Sequence, residues 1–334
     1  MLLRTAFLFV ALSAAASVAT AAPGFFPTFT DAASAGPDFL VQGEYEGHVN
    51  AAAGQQPAGA QVIAKGDARF HAVLYYGGLP GSGWNRSMKK EEFDGSTKDN
   101  VTTFNGKNLV GKLVDGTLSL TDSGGQMIGE LKKIERKSPT LGAQPPADAV
   151  VILDGTPRDK IPGGGELVDG LLVMGPPKRG DAKTTEAFGN YKLHLEFRTP
   201  FMPTATGQQR GNSGLYLSNR YECQVLDSFG LSGEDNECGG FYKFRKPDVN
   251  MCFPPLAWQT YDIDFTAPKF DASGIKTAPA TVTVRHNSVV IHNKYELPDV
   301  TPGGERKEGP TGILKLQDHG NPVAYRNFWV VPVK

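Results

Sequence analysis

The chain has 334 residues, enough for two domains. Its 34 basic and 35 acidic residues leave a formal net charge of −1, which gives no electrostatic footprint for nucleic acid or for an anionic membrane surface. Glycine (40) and proline (24) together make roughly a fifth of the chain, against about 12 % in an average domain. With short Val/Ile/Leu/Tyr runs between turn residues, and no long helical periodicity after the leader, this composition predicts an all-β protein.

Residues 1–21 read as a signal peptide: Arg4, an apolar segment over 7–16, and the small-residue pattern Ala19-Thr20-Ala21. The apolar run is shorter than the ~20 residues a span needs, so a periplasmic or secreted protein is expected, with no membrane span after cleavage. Residues 22–36 form a small, proline-containing lead-in. A small β-rich unit is expected over 38–136, with strands at 39–41, 61–64, 70–76, 109–113, 117–120 and 128–131, separated by turn signals such as Asp115-Gly116. The polar section 77–107 reads as a solvated connection on a small sheet ahead of its alternative, a functional loop, and 136–148, with Pro139, Pro145 and Pro146, reads as a linker.

The second unit, 149–334, carries about ten short strands with no helix signal between them, which predicts a jelly-roll β-sandwich. Along 191–198, Tyr191, Leu193, Leu195 and Phe197 fall on one face, and Lys192, His194, Glu196 and Arg198 on the other. The same alternation over 221–225 sends Glu222 and Gln224 one way and Tyr221, Cys223 and Val225 the other; a turn around Ser218-Asn219-Arg220 joins it to 215–217. Lys315, Gln317 and His319 share a face, with Asp318 opposite. A curved sheet with its concave side exposed would collect the polar faces of 191–198, 221–226 and 312–319. His194 and His286 read as surface or cross-strand residues, and Trp258, Phe328 and Trp329 as core. An exported protein permits a disulfide. Cys238 and Cys252 flank the segment 239–251 and are the expected pair, leaving Cys223 as a buried thiol; the spacing fits no common zinc pattern.

Several motifs in order carry a resemblance: Arg210-Gly211-Asn212-Ser213-Gly214, Tyr221-Glu222-x-Gln224-x-x-Asp227-Ser228, Asn250-x-Cys252-x-Pro254-Pro255, Trp258-Gln259-Thr260-Tyr261-Asp262, Leu316-Gln317-Asp318-His319-Gly320-Asn321-Pro322-Val323 and Tyr325-Arg326-Asn327-Phe328-Trp329-Val330. Over about residues 150–332 the chain resembles the 3-keto-disaccharide hydrolase family. The resemblance implies a concanavalin A-like jelly roll and cleavage of disaccharides or glycosides already oxidised at C3. The first unit resembles a segment that often precedes this domain in exported bacterial proteins.

A C3 ketone acidifies the C2 proton, so a base can form an enolate, the C1 substituent can leave, and water can add back. That route needs a base near C2, donors for the enolate oxygen and an acid for the leaving oxygen. Glu222 and His319 are the acid/base candidates. Arg210 is a candidate donor, assisted by Arg326; equally, it can pair with an acid to fix its turn. Glu196, Asn212, Ser213, Gln224 and Gln317 are candidates for sugar hydroxyls, and Tyr242 and Lys246 for closing over the site. Asp227 and Asp318 read as turn acceptors. No cofactor is assigned: Glu222, Asp318 and His319 offer oxygen and nitrogen ligands to a divalent ion, but without a strong ligand spacing. A non-catalytic lectin-like module explains the same polar sheet face. An ordinary two-carboxylate glycosidase is the weakest reading, because Glu222 and Asp227 fall on opposite faces of a regular strand.

Overall fold

The computed structural model describes residues 26–51, 54–155 and 157–334; the signal-peptide reading of 1–21 lies outside them. Among the described residues no helix is long and apolar enough to cross a membrane. The first unit is a closed antiparallel barrel. Its eight strands run, around the barrel, Gly43–Ala51, Met127–Ile134, Thr117–Asp122, Leu109–Val114, Val101–Asn105, Lys90–Lys98, Arg69–Tyr76 and Gly54–Gly66, the last pairing again with the first. Alternation fills its interior: Ala58, Ala60, Val62 and Ala64 point inward from Gly54–Gly66, and Phe70, Ala72 and Leu74 from the next strand.

Two expectations for this unit change. Residues 37–41 form a short helix rather than a strand, with Pro37 at its start. The polar section 77–107 holds two barrel strands, Lys90–Lys98 and Val101–Asn105. Composition hid the first of these because Phe93 is its only buried residue.

The second unit is a jelly-roll sandwich. One sheet has the order Glu166–Val168, Leu171–Val173, Ala324–Val333, Asn190–Arg198, Gln259–Thr266, Ala280–His286 and Val289–Leu297, with Val150–Leu153 also paired to Ala324–Val333. The facing sheet has the order Ala182–Phe188, Gly312–Leu316, Ser213–Leu217 and Tyr221–Val225. Tyr191, Leu193, Leu195, Phe197, Tyr261 and Ile263 of the first sheet share one core with Leu215, Leu217, Tyr221, Cys223, Val225, Leu314 and Leu316 of the second.

The polar faces of 191–198 and 221–226 therefore look outward from opposite sheets and do not meet, contrary to expectation. The outer face of Asn190–Arg198 is covered by the segment read as a linker. Gly142 N–H donates to Glu196 Oε1 (2.5 Å), Thr140 Oγ1 to Asp262 Oδ2 (2.6 Å), and Asn327 Nδ2 to the Ala143 carbonyl (3.0 Å). Under this strap His194 is fully buried, its Nδ1 2.7 Å from Asp262 Oδ1 and its ring stacked on Trp329. His286 is buried too, beside Gln259 Oε1 at 2.9 Å. Both are cross-strand residues, one of the two readings given for them, and neither is at the surface.

The cysteine expectation also changes. Cys223, Cys238 and Cys252 are all buried free thiols. Cys238 Sγ lies 3.3 Å from the Tyr261 hydroxyl, and Cys252 Sγ lies 3.5 Å from the Leu226 carbonyl, so each finds a polar neighbour without a disulfide.

Candidate active site

The four-stranded sheet presents Glu222 outward because its neighbours Tyr221 and Cys223 fill the core. Strand pairing sets Tyr216 opposite Glu222, and Tyr216 also pairs with Lys315 on the other side. The Tyr216 hydroxyl donates to Glu222 Oε2 at 2.9 Å and accepts from Gln317 Nε2 at 3.3 Å. Glu222 Oε1 accepts no hydrogen bond among the described residues. It lies over Gly214, where a Cβ would come within 2.4 Å of it, so a side chain there would push the carboxylate out of this position.

Gln208, Asn212, Gln224, Tyr242, Gln317 and His319 join Tyr216 and Glu222 around a recess of about 220 Å³. Its floor is the sheet and its walls are loops. Residues 239–242 extend the sheet past its edge: Gly239 N–H donates to the Gln224 carbonyl (2.9 Å), Gln224 N–H to the Gly240 carbonyl (2.9 Å) and Tyr242 N–H to the Glu222 carbonyl (3.3 Å). On the far side, Thr301 Oγ1 accepts from Glu222 N–H at 2.8 Å, and the Pro302 carbonyl lies 3.0 Å from the Tyr216 hydroxyl, competing with Glu222 for its one proton.

Burial dominates the electrostatics. It pushes the Glu222 carboxyl up to about 7, against the downward pulls of the Tyr216 hydrogen bond and the Lys315 charge. Lys315 sits with Nζ 3.6 Å from the centre of the Tyr216 ring and donates to the Gly303 carbonyl at 3.0 Å. Burial pulls its ammonium down, and Asp181, 3.7 Å away, opposes that. Asn212 Oδ1 is buried without a partner among the described residues, while its Nδ2 donates to the Gln208 carbonyl at 2.8 Å.

Of the residues singled out in the sequence, Glu222, His319, Asn212, Gln224, Tyr242 and Gln317 line this recess. The others do not. Arg210 Nε donates to Asp227 Oδ2 at 2.6 Å, fixing the turn as one of its two readings had it. Ser213 points to the interior, donating to the Gln317 carbonyl at 2.5 Å and accepting from Tyr325 at 2.7 Å. Glu196 and Arg326 pair at 2.7 Å on the opposite sheet. Burial raises Glu196, but hydrogen bonds from His194, Asn327, Gly142 and Arg326 outweigh it and hold the carboxyl at about 2, so it is a fixed anion. Lys246 is exposed and lies 3.7 Å from Glu234. Asp318 turns away from Glu222, accepting from Arg179, Gly180 and Gly320. Among the described residues no three His, Cys, Asp or Glu side chains cluster as metal ligands.

Gln208, Tyr216, Pro302 and Gly303 are the lining residues that motif reading passed over. Tyr216 carried a usable signal: the turn at 218–220 fixes the hairpin register that places it against Glu222.

A jelly roll carrying a small polar recess with one buried carboxyl is the class of protein that fold and site define. The chain belongs to the family of the 3-keto-alpha-glucoside-1,2-lyase-like domain, whose model matches residues 82–331. That membership places it among enzymes acting on carbohydrates. Among solved structures, a candidate glycosyl hydrolase from Parabacteroides distasonis ATCC 8503, at 2.13 Å resolution, is 31 % identical, with a TM-score of 0.52, covering 56 % of this chain and 84 % of its own. A second from the same organism, at 1.70 Å, is 15 % identical, with a TM-score of 0.41, covering 56 % and 94 % respectively. No curated protein matches.

Proposed function

We propose that the chain cleaves glycosides oxidised at C3, by removal of the C2 proton, elimination of the C1 substituent and addition of water. The observation that carries this reading is Glu222: a buried carboxyl with one unengaged oxygen, facing a recess lined by the side-chain amides of Gln208, Asn212, Gln224 and Gln317. The ketone makes C2–H acidic enough for a carboxylate base, and a carboxyl lifted to about 7 is a stronger base than an exposed one. Glu222 Oε1 takes the proton, the C2–H electrons move to the C3 oxygen as an enolate, and their return expels the C1 oxygen, which takes a proton from His319. Water then adds across the resulting double bond to restore the keto sugar. The unpartnered Asn212 Oδ1 suits a sugar hydroxyl donor, and Gln317, whose Nε2 is held by Tyr216, presents its Oε1.

The test is release of the C1 group from a 3-keto-glucoside, beside the unoxidised parent, by wild type, Glu222→Gln and His319→Ala. Cleavage is expected for the keto substrate alone, with the acid limb of its pH profile rising about a midpoint near 7, and falling about 10²–10⁴-fold in Glu222→Gln. Equal cleavage of the parent, or full activity in Glu222→Gln, would sink the reading. Binding without turnover would return the protein to the lectin-like alternative.

A further inference from the structure

The recess around Glu222 is small. At about 220 Å³ it falls below the roughly 300–1,000 Å³ of sites that enclose larger ligands, so it has room for one sugar ring and not two. A second recess of about 510 Å³ adjoins it, and the two share Gln208 and His319. A bond joining a sugar in the first to a group in the second would pass beside His319.

The second recess has different chemistry. Phe26, Pro176, Met202 and Pro322 give it apolar walls. Three of its five polar side chains, those of Gln208, Asn321 and Thr28, are engaged with the protein, which leaves Gln209 and the shared His319. Gln208 Nε2 donates to the Asn236 carbonyl at 2.7 Å and its Oε1 accepts from Gln224 Nε2 at 3.1 Å. Asn321 Oδ1 accepts from Asn212 N–H at 2.7 Å, and Thr28 Oγ1 donates to the Phe26 carbonyl at 2.8 Å. A second sugar would bring hydroxyls that need donors and acceptors on several edges, and would leave them short of partners here.

The Phe26 wall is held in place. Phe29 and Phe201 exchange both backbone hydrogen bonds, at 3.0 and 2.9 Å, and their rings lie 5.9 Å apart. The lead-in is thus stitched to the segment that carries Met202. It also lies outside the 82–331 match, so Phe26 is a feature of this chain beyond the family domain.

We infer that this second recess is the leaving-group subsite and that it selects an apolar, aryl-type aglycone over a second sugar. The inference rests on the proposed keto-glycoside reading for what occupies the first recess. Its test is binding, so that it reads independently of turnover. Affinities of the 3-keto forms of 2-naphthyl glucoside and of trehalose are measured for Glu222→Gln, and for Glu222→Gln combined with Phe26→Ala or Phe26→Leu.

The expected result is an aryl preference of about tenfold or more, which collapses toward unity with Phe26→Ala and is largely restored with Phe26→Leu. Equal or tighter binding of the disaccharide overturns the subsite, and so does an aryl preference indifferent to Phe26. Turnover by wild type is scored separately. Its absence with both keto substrates removes the keto-glycoside reading, while the binding ratio still decides the subsite.

Discussion

Glu222 carries a stability cost as well as a chemical role. Burial lifts its carboxyl from 4.5 to about 7. Between those values the folded chain keeps a proton that the unfolded chain releases, so stability falls as pH rises through that window and stays lower above it. Glutamine fills the same space, still accepts from Tyr216 and never ionises. Glu222→Gln and wild type should therefore differ little at pH 4, whereas at pH 8 the variant should gain on the order of 3 kcal/mol relative to wild type, a few degrees in Tm. Thermal melts of the two proteins from pH 4 to pH 9 check this; a difference flat with pH would show that the carboxyl is not desolvated. Much of this residue's setting was legible in the sequence. Strand parity alone put Glu222 and Gln224 on one face and Tyr221, Cys223 and Val225 on the other, because a two-residue period survives any tertiary context. The Tyr216 hydroxyl was within reach through the hairpin turn at 218–220, but the Lys315 ammonium was not, since it comes beside Tyr216 by a strand pairing between residues about a hundred positions apart.

At the scale of elements, the loop beyond Tyr221–Val225 is what turns an exposed sheet edge into a wall of the recess. It is held from the barrel. Arg86, in the connection between Arg69–Tyr76 and Lys90–Lys98, donates to the carbonyls of Ser232, Gly233, Pro247 and Asp248 at 2.8 to 2.9 Å. Four charge-assisted bonds to one loop close both of its ends around 239–242, the stretch that ladders onto Gln224 and Glu222. Arg86→Ala should leave the sheet intact but loosen this wall, lowering kcat/KM on the keto substrate about tenfold, mainly through KM, with Arg86→Lys recovering only part of it because an ammonium cannot reach four carbonyls at once. Faster amide exchange at 239–242 with slow exchange retained at 213–217 would be the accompanying signature; uniform loss of protection would mean that Arg86 serves stability alone. Sequence reading took this connection as solvated, and by composition it is polar. What composition lacks is the partner: an arginine clamping carbonyls about 150 residues away leaves no local pattern. The polar face of His194 and Glu196 misled in the opposite direction. Its alternation matched that of 221–225, and only sheet topology separates a face that meets a recess from one lying under the 138–143 strap.

The whole molecule is a barrel and a sandwich that share a core. Strands Gly54–Gly66 and Arg69–Tyr76 are buried on both faces: one face fills the barrel, while Ile63, Val73 and Tyr75, with Leu79 just beyond, belong to the sandwich core. Ile63 Cδ1 packs so close to Gly230 that a Cβ there would come within 2.3 Å of it. Where the chain leaves the barrel, Arg136 forms a two-point pair with the buried Glu44, at 2.7 and 2.5 Å, donates to the Pro80 carbonyl at 2.8 Å, and stacks 5.0 Å from the centre of the Phe253 ring in the sandwich. The 82–331 family match starts inside the barrel. Sequence signals marked two units because turn density and proline content drop a seam at 136–148, yet seams in composition say nothing about shared apolar faces. The excised segment 149–334 should then lack a wall of its own core, together with the Arg86 clamp on its site loop. It is expected to be poorly soluble, to bind a hydrophobic dye and to lose the near-ultraviolet dichroism of its buried tyrosines. The full chain should melt in one transition seen alike by calorimetry and by barrel and sandwich probes. A fragment 149–334 that is monomeric, melts cooperatively near the full-length midpoint and turns over the keto substrate would show instead that the barrel is an appendage, and that the apolar contact of Ile63, Val73, Tyr75 and Leu79 contributes little to the folded state.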